Sequence, residues 1–593
     1  MSTDSFYKQK IAACDEEIRA IQNRLNGMAV VRLALFTGLG FTIYAIVRES
    51  SPLLVILAIA LLAAFILCVN IHYRWKEQRL LLQKLRFVNV NELDRLSGKA
   101  NSFADGAAFL DTTGYLDDLD VFGPHSLFHV LNRTSTVKGR EFLAQALRQP
   151  LLDPAAILQE QAAIQTLAPQ TDSRQLITAH GLLNEGKAID LDSGGFRRWL
   201  ETPAIFNRKP LRLAAIALLM GLNLTAIAIW MVSNNYTLLL LGVLISRLVL
   251  VLYGKYTGQQ HELIDNKKPL LDQYAGILAV FNTVDAGDSL ALQKLRDRTV
   301  TAHNAIRRLS SLANYFDHRS NGLVNLFLNT FLLYDLHCVI ALERWKEAYR
   351  TNFIDWLEAV GAVERLNSQA TFAFNYPDYH YPSPEGTAET LFIEATRLAH
   401  PLIPAERRIA NDCTLGRGER LILVTGSNMS GKTTFLRTIG VNLLLAQCGM
   451  PVCAASFSFT PMHLLTSLRI DDSLLDQTSY FMAELKKLQR IVHRLQTGAP
   501  ALVLIDEILR GTNSEDKTFG SEHFIRRLIQ FRCLSLFATH DLTLGSLEQA
   551  GLITNYCFES VIENDELHFN YQLQRGIARN RNASFLMRKM DII

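Results

Sequence analysis

Between Gly426 and His540 the chain carries, in order, the parts a nucleotide-hydrolysing site requires, and that order constrains the fold of its last third. The run Leu421-Ile-Leu-Val-Thr-Gly-Ser-Asn-Met-Ser-Gly-Lys-Thr-Thr434 reads as an apolar strand, then G-x-x-x-x-G-K-T, then a helix. Gly426 and Gly431 let the backbone N–H groups of the loop, which includes Ser427, Asn428, Met429 and Ser430, close around phosphate oxygens. Lys432 is placed for the β- and γ-phosphates and Thr433 offers a hydroxyl to Mg²⁺. Thr434 lies at the start of a helix whose N-terminus adds partial positive charge. Downstream, Ala501-Leu-Val-Leu-Ile-Asp-Glu507 reads as a fully buried parallel strand. Ligands of open α/β sheets gather at the carboxyl ends of strands, so Asp506 and Glu507 should emerge beside the phosphates. Asp506 suits the metal, and Glu507 suits the attacking water. A third apolar strand, Cys533-Leu-Ser-Leu-Phe-Ala-Thr-His540, ends in a histidine. Alone such a histidine is usually structural; in this series it reads as a γ-phosphate sensor. The expected cofactors are ATP and Mg²⁺.

At 593 residues the chain needs several domains. A net charge of +3 gives no strong global attraction to nucleic acid or anionic lipid. The eight cysteines form no C-x-x-C and no Cys/His metal spacing, so they read as reduced thiols of a cytosol-facing protein.

Two apolar hairpins stand apart from this composition. Ala29–Val47 and Leu53–Ile71 are joined by residues 48–52, and Leu213–Val232 and Thr237–Tyr253 by residues 233–236. Leu53–Ile71 is long enough to cross a bilayer, Ala29–Val47 is marginal with Arg32 near its start, and Arg247 interrupts the last segment. Lys8, Lys10, Arg19, Arg24, Arg74, Lys76 and Arg79 flank the first hairpin; Arg208, Lys209, Arg212 and Lys255 flank the second. The connecting turns are nearly free of positive charge, so both hairpins should enter from the cytoplasm and return. The competing reading is two buried helical hairpins within a large soluble core. A cleavable signal peptide is not expected, because the first apolar segment starts late and has no small-residue cleavage site.

The resulting organisation is a cytoplasmic helix over 1–28, a transmembrane hairpin over 29–73, and a helical region over 74–205. A second hairpin follows over 211–254, more helical core over 257–374, a Pro- and Tyr-rich linker over 375–390, and an α/β nucleotide domain over 391–593. Gly322–Leu336 is apolar but short and carries Asn325 and Asn329, which predicts a core helix and not a fifth span. Arg133, Lys138, Arg140 and Arg148 read as exposed helix charge, with contact to a phosphate backbone as the alternative.

Thr425-Gly-Ser-Asn-Met-Ser-Gly-Lys-Thr-Thr434 resembles the phosphate loop of the MutS mismatch-repair ATPases, whose Asn-Met between the glycines is distinctive. Further resemblances follow in family order: Leu445–Val452, Asp471-Asp472, Ser479–Leu485, Asp506–Thr512, Leu536–His540 and Tyr571–Ala578. Upstream, Phe128–Pro150, Gln159–Gln165 and Trp356–Gly361 are similar to the family's helical core. The resemblance implies an α plus α/β protein: a MutS-type core, or lever, carrying two transmembrane hairpins, followed by a P-loop ATPase domain of ABC type.

It also implies a homodimer through the ATPase domains, with Lys432, Thr433, Asp506 and Glu507 acting in cis. Asn513 and Ser514 would be offered in trans to the neighbour's γ-phosphate, in place of the family's Ser-Thr. Arg408 stands where family members often put an aromatic against adenine. No Phe-x-Glu wedge for a mispaired base is found, no DNA clamp, and no C-terminal helix-turn-helix before Ile593. The expectation is a multi-pass protein of the inner, cytoplasmic membrane with its ATPase domain in the cytoplasm. DNA remains open as a partner, beside two alternatives: an ATP-switched scaffold for protein or lipid, and an ABC-type transporter subunit. The last lacks the Leu-Ser-Gly-Gly-Gln signature.

Overall fold

The computed structural model describes residues 2–49, 51–111, 114–184, 194–207, 209–265, 267–317, 319, 322–385, 390–427, 429–469, 480–509, 513–549, 551–563, 566–579 and 592. Among the described residues, helices occupy the chain as far as Asn375 and every strand comes later.

The first hairpin is two long helices, Thr3–Arg48 and Pro52–Leu96, packed side by side. Ser2 caps the first by accepting from the Ser5 N–H at 3.3 Å, and Pro52 opens the second, where its missing N–H costs nothing. The charged N-terminal stretch and the apolar segment therefore form one uninterrupted helix. Their apolar residues do not pack inward: Leu53, Ile59 and Phe41 are 78%, 63% and 77% exposed.

The far ends of both helices are locked into the helical core. Tyr7 Oη donates to Asn375 Oδ1 at 2.6 Å, and Asn375 Nδ2 donates to Glu92 Oε2 at 2.7 Å. Arg133 reaches the same carboxylate with two nitrogens, Nη2 at 2.8 Å from Oε2, and both partners are almost wholly buried. A bidentate pair with further hydrogen bonds satisfies the charge that burial would otherwise penalise. Arg133 is thus a structural cation, contrary to the exposed-charge reading. The guanidinium has no free face for a phosphate backbone.

The second hairpin comprises Pro210–Ser233 and Thr237–Ile264, turned by Asn234 in the left-handed conformation (φ 55°). Its base is held by Glu343 of the long helix Tyr334–Asn375. That buried carboxylate accepts from the N–H groups of Ile205, Phe206 and Asn207 at 2.7, 2.8 and 2.9 Å, and from Tyr256 Oη at 2.8 Å. Among the described residues, four helices are long and apolar enough to cross a membrane, or five elements if one bent pair is counted.

The bent pair corrects the expectation for Gly322–Leu336. The helix there ends at Leu332, and Leu333 (φ 50°) turns the chain by 76° into Tyr334–Asn375. It is no core helix: Leu326 and Phe327 are 50% and 62% exposed, and it packs against the second hairpin.

The strands are β1 (Ser383–Pro384), β2 (Ile393–Leu398), β3 (Asn411–Leu415), β4 (Leu421–Gly426), β5 (Ser456–Phe459), β6 (His463–Ser467), β7 (Ala501–Asp506), β8 (Cys533–Thr539), β9 (Ile553–Glu563) and β10 (Glu566–Arg575). A six-stranded sheet has the order β10-β9-β4-β8-β7-β6, parallel except for the β9–β10 pair. Every residue of β4, β7 and β8 is buried, as parallel strands covered on both faces must be. A four-stranded sheet, β1-β5-β2-β3, lies beside it.

Candidate nucleotide site

The parallel register aligns the carboxyl ends of β4, β8 and β7, with Thr425 opposite Thr539 and Asp506 opposite Ala538. At this edge β4 gives way to the phosphate loop and the helix Lys432–Gln447. The two glycines are sterically required. A Cβ on Gly426 (φ 155°) would sit 2.7 Å from Ser430 Oγ and 2.9 Å from the Phe558 carbonyl. Gly431 takes φ 106°. Between them Met429 adopts φ 69° and is largely exposed, while Asn428 lies outside the described residues.

A cleft of about 790 Å³ opens above this loop, lined by residues 429–434, Arg408, Asp506, Glu507 and His540, among others. Lys432 is buried and curls back, donating to the carbonyls of Gly426 and Ser427 at 2.9 Å each. Thr433 Oγ1 lies 2.5 Å from Asp506 Oδ2, so the two expected metal ligands already touch. Ser430 Oγ is buried and has no hydrogen-bond partner among the described residues. A glycine cradle, an orphaned hydroxyl facing it, and a hydroxyl–carboxylate pair at its rim fit a nucleotide phosphate with Mg²⁺. Thr434, like Met429, is exposed at the mouth.

Glu507 follows β7 in the left-handed conformation (φ 50°), pinned by its N–H to the Ala538 carbonyl at 2.9 Å. One carboxylate oxygen is paired with Lys517, and the other is 3.7 Å from His540 Nε2. Burial, together with the nearby Lys432 charge, holds the His540 pKa below the ordinary imidazole value. Behind Glu507, the buried Glu484 accepts the Leu509 N–H at 2.6 Å and fixes the departing loop. Residues 470–479 and 510–512, which carry three of the resemblance motifs in whole or part, lie outside the described residues.

The remaining expected residues are distributed unevenly. Arg408 lines the cleft, but its guanidinium is engaged, donating to Tyr379 Oη at 2.7 Å and Cys453 Sγ at 3.0 Å. Asn513 and Ser514 do not line the cleft; both are exposed, and Asn513 Oδ1 caps the helix Ser514–Leu528 by accepting from Asp516 N at 2.8 Å.

Three participants escaped sequence reasoning. Lys517 pairs with the expected base from ten positions along the chain. Tyr571 (φ 53°), beside a β10 irregularity that Asn411 braces at the Tyr571 carbonyl (3.0 Å) and the Leu573 N–H (2.7 Å), brings an aromatic ring over Gly431. It offers the flat apolar face that Arg408 does not. The third is Asp120 (φ 53°), beyond the helix Tyr115–Asp118, which binds two arginines of the cleft wall. Arg437 donates to it at 2.8 Å and Arg469 at 2.6 and 3.1 Å. Its neighbour Asp118, fully buried, accepts from Thr466, the Arg469 N–H and Lys487. The helical region thereby grips the nucleotide domain at the wall of its cleft.

Sequence comparison identifies both sides of this grip. Residues 422–587 match the family model of MutS domain V, and residues 112–193 match that of MutS domain III. The two stretches are thus similar to MutS domains III and V. The P-loop, β7 and His540 all fall in the MutS domain V match, and Asp118 and Asp120 in the MutS domain III match. Among curated proteins it is similar to "MutS protein homolog 4" of Mus musculus, 33% identical over 231 residues, which is 37% of this chain and 24% of the relative. The "MutS protein homolog 4" of Homo sapiens is likewise 33% identical, over 39% of this chain and 23% of the relative. The chain thus spans about a quarter of the length of these relatives.

Proposed function

We propose that the protein is a membrane-anchored ATPase of MutS type, in which ATP binding and hydrolysis switch a helical core. The observation that carries this reading is the Thr433–Asp506 contact beneath the glycine loop, with Glu507 one residue further on. Lys432 would leave its two loop carbonyls to hold β/γ oxygens, and Thr433 with Asp506 would hold Mg²⁺. The metal, when bound, neutralises charge developing on the phosphates. Glu507 takes the proton of the attacking water, kept on station by Lys517, and His540 orients a γ-oxygen. Asn513 and Ser514, exposed and away from their own cleft, are positioned by this reading in the neighbour's site of a homodimer. The Asp120 pairs with Arg437 and Arg469 then relay cleft occupancy into the helical core as a rigid-body shift.

The exposed apolar surface of both hairpins supports anchoring in the inner, cytoplasmic membrane, with the ATPase domain in the cytoplasm. Replacement of Lys432 by Ala is the direct test: phosphate release should fall to background while the protein stays folded, and unchanged turnover would defeat the reading. Extraction by alkaline carbonate without detergent would defeat the anchoring.

DNA binding without mismatch specificity is the second reading, favoured by the MutS domains themselves. A filter-binding titration on homoduplex and mismatched DNA decides it, because a backbone binder loses affinity steeply with salt. A scaffold for protein or lipid would retain no DNA at any salt.

A further inference from the structure

We infer that Gly322–Leu332 is a re-entrant membrane helix whose partner is the lipid bilayer, and that it dips to mid-depth against the second hairpin before returning as Tyr334–Asn375. The inference rests on the anchoring proposed above. It starts from Arg247, the charge that interrupts the last apolar segment. Arg247 lies about 15 Å along its helix from Thr237 at the turn, half the thickness of a hydrocarbon core. On the opposite helix Asn223 lies about 15 Å from Ser233, and its amide donates to Ser246 Oγ at 2.8 Å. A polar layer therefore sits at one level of the hairpin, where unpaired groups are most costly.

Gly322–Leu332 completes that layer. Arg247 Nη2 donates to Thr330 Oγ1 at 2.8 Å, and Asn223 Nδ2 reaches the Phe331 carbonyl at 3.3 Å. Thr330 and Phe331 consequently stand at the hairpin's mid-level. If the hairpin crosses a bilayer, the end of this helix is inside the hydrocarbon with it.

The rest of the segment has what such a position requires. Its Leu326 and Phe327 side chains project outward and continue the apolar surface of the hairpin. A chain break in a bilayer is tolerated only where protein buries it and satisfies its backbone. Leu333 at the break is fully buried, its N–H donates to the Asn329 carbonyl at 3.2 Å, and Asn329 Oδ1 accepts the Asp335 N–H at 2.8 Å. Asp335 is in turn buried and paired with Arg319 at 3.1 Å. Asn329, which from sequence argues against a membrane position, is the cap that makes one workable.

The test is collision accessibility of nitroxide labels in the full-length protein reconstituted in liposomes, with Cys68→Ser to remove the less buried native thiol. Labels go on Phe327→Cys, on Leu326→Cys as a second site in case one variant misfolds, and on Leu244→Cys of the hairpin as reference. Oxygen should relax all three labels more strongly than a water-soluble nickel chelate does. Oxygen dominance at 244 with nickel dominance at 326 and 327 would overturn the re-entrant helix and leave the anchor standing. Nickel dominance at all three would overturn both.

Discussion

Two regions of this molecule share a composition and differ in what covers it. In β4, Leu421, Ile422, Leu423 and Val424 are at most 1% exposed. In the second helix of the first hairpin, Leu53, Ile56 and Ile59 are between 63% and 78% exposed. The sheet finds its apolar partners within the chain, on two faces and from neighbouring strands. The hairpin finds few, because two long helices side by side leave most of each circumference open. A run of leucines and isoleucines therefore does not say what will cover it, and only the tertiary structure separates a run buried in protein from one left exposed.

The same substitution made in both regions should break this comparison or sharpen it. Leu423→Ala leaves a cavity in a covered sheet and should cost about 2–5 kcal/mol of stability, whereas Leu57→Ala, half-exposed, should change it by less than about 0.5 kcal/mol. Denaturant unfolding in detergent measures both; equal losses would mean the hairpin is covered after all. Next, Lys432→Ala should lower ATP turnover roughly 100-fold by removing one charged partner of the phosphates, read as phosphate release. The purified Leu57→Ala protein should keep its turnover in the same assay.

A smaller effect is expected at the grip between the helical region and the nucleotide domain. Asp120→Asn weakens the pairs with Arg437 and Arg469, and because Asp120 is 42% exposed the loss should be at most about 1 kcal/mol. Its sharper readout is coupling: ATP should no longer change protease sensitivity of the helical core. A further effect concerns pH. His400, on the cleft wall, has its pKa lowered to about 4, first by burial and then by Arg437. Between about 4 and the ordinary 6.5 the unfolded chain binds a proton that the folded chain refuses. Stability should therefore fall as pH drops through that window, and His400→Gln should flatten the slope.

The phosphate loop, the three buried strands and both hairpins were legible because each is a local pattern: a spacing of glycines, an apolar run, a turn between two such runs. What stayed hidden depends on pairs far apart in sequence. Periodicity places Arg133 on a helix end and exposes it; Glu92, on another helix, buries it. Nothing around Asp120 announces that Arg437 and Arg469 will close on it. Gly322–Leu336 was misread for a related reason, since two asparagines look like a penalty until one is seen capping a break.

The first hairpin carries a mechanical consequence. Thr3–Arg48 is unbroken, about 70 Å long, and clamped at its base by Tyr7 and, through the second helix, by Glu92. A rotation of only one degree at that clamp displaces the far tip by roughly 1 Å. Small strokes near the nucleotide would reach the opposite end geared up, as at the end of a long oar.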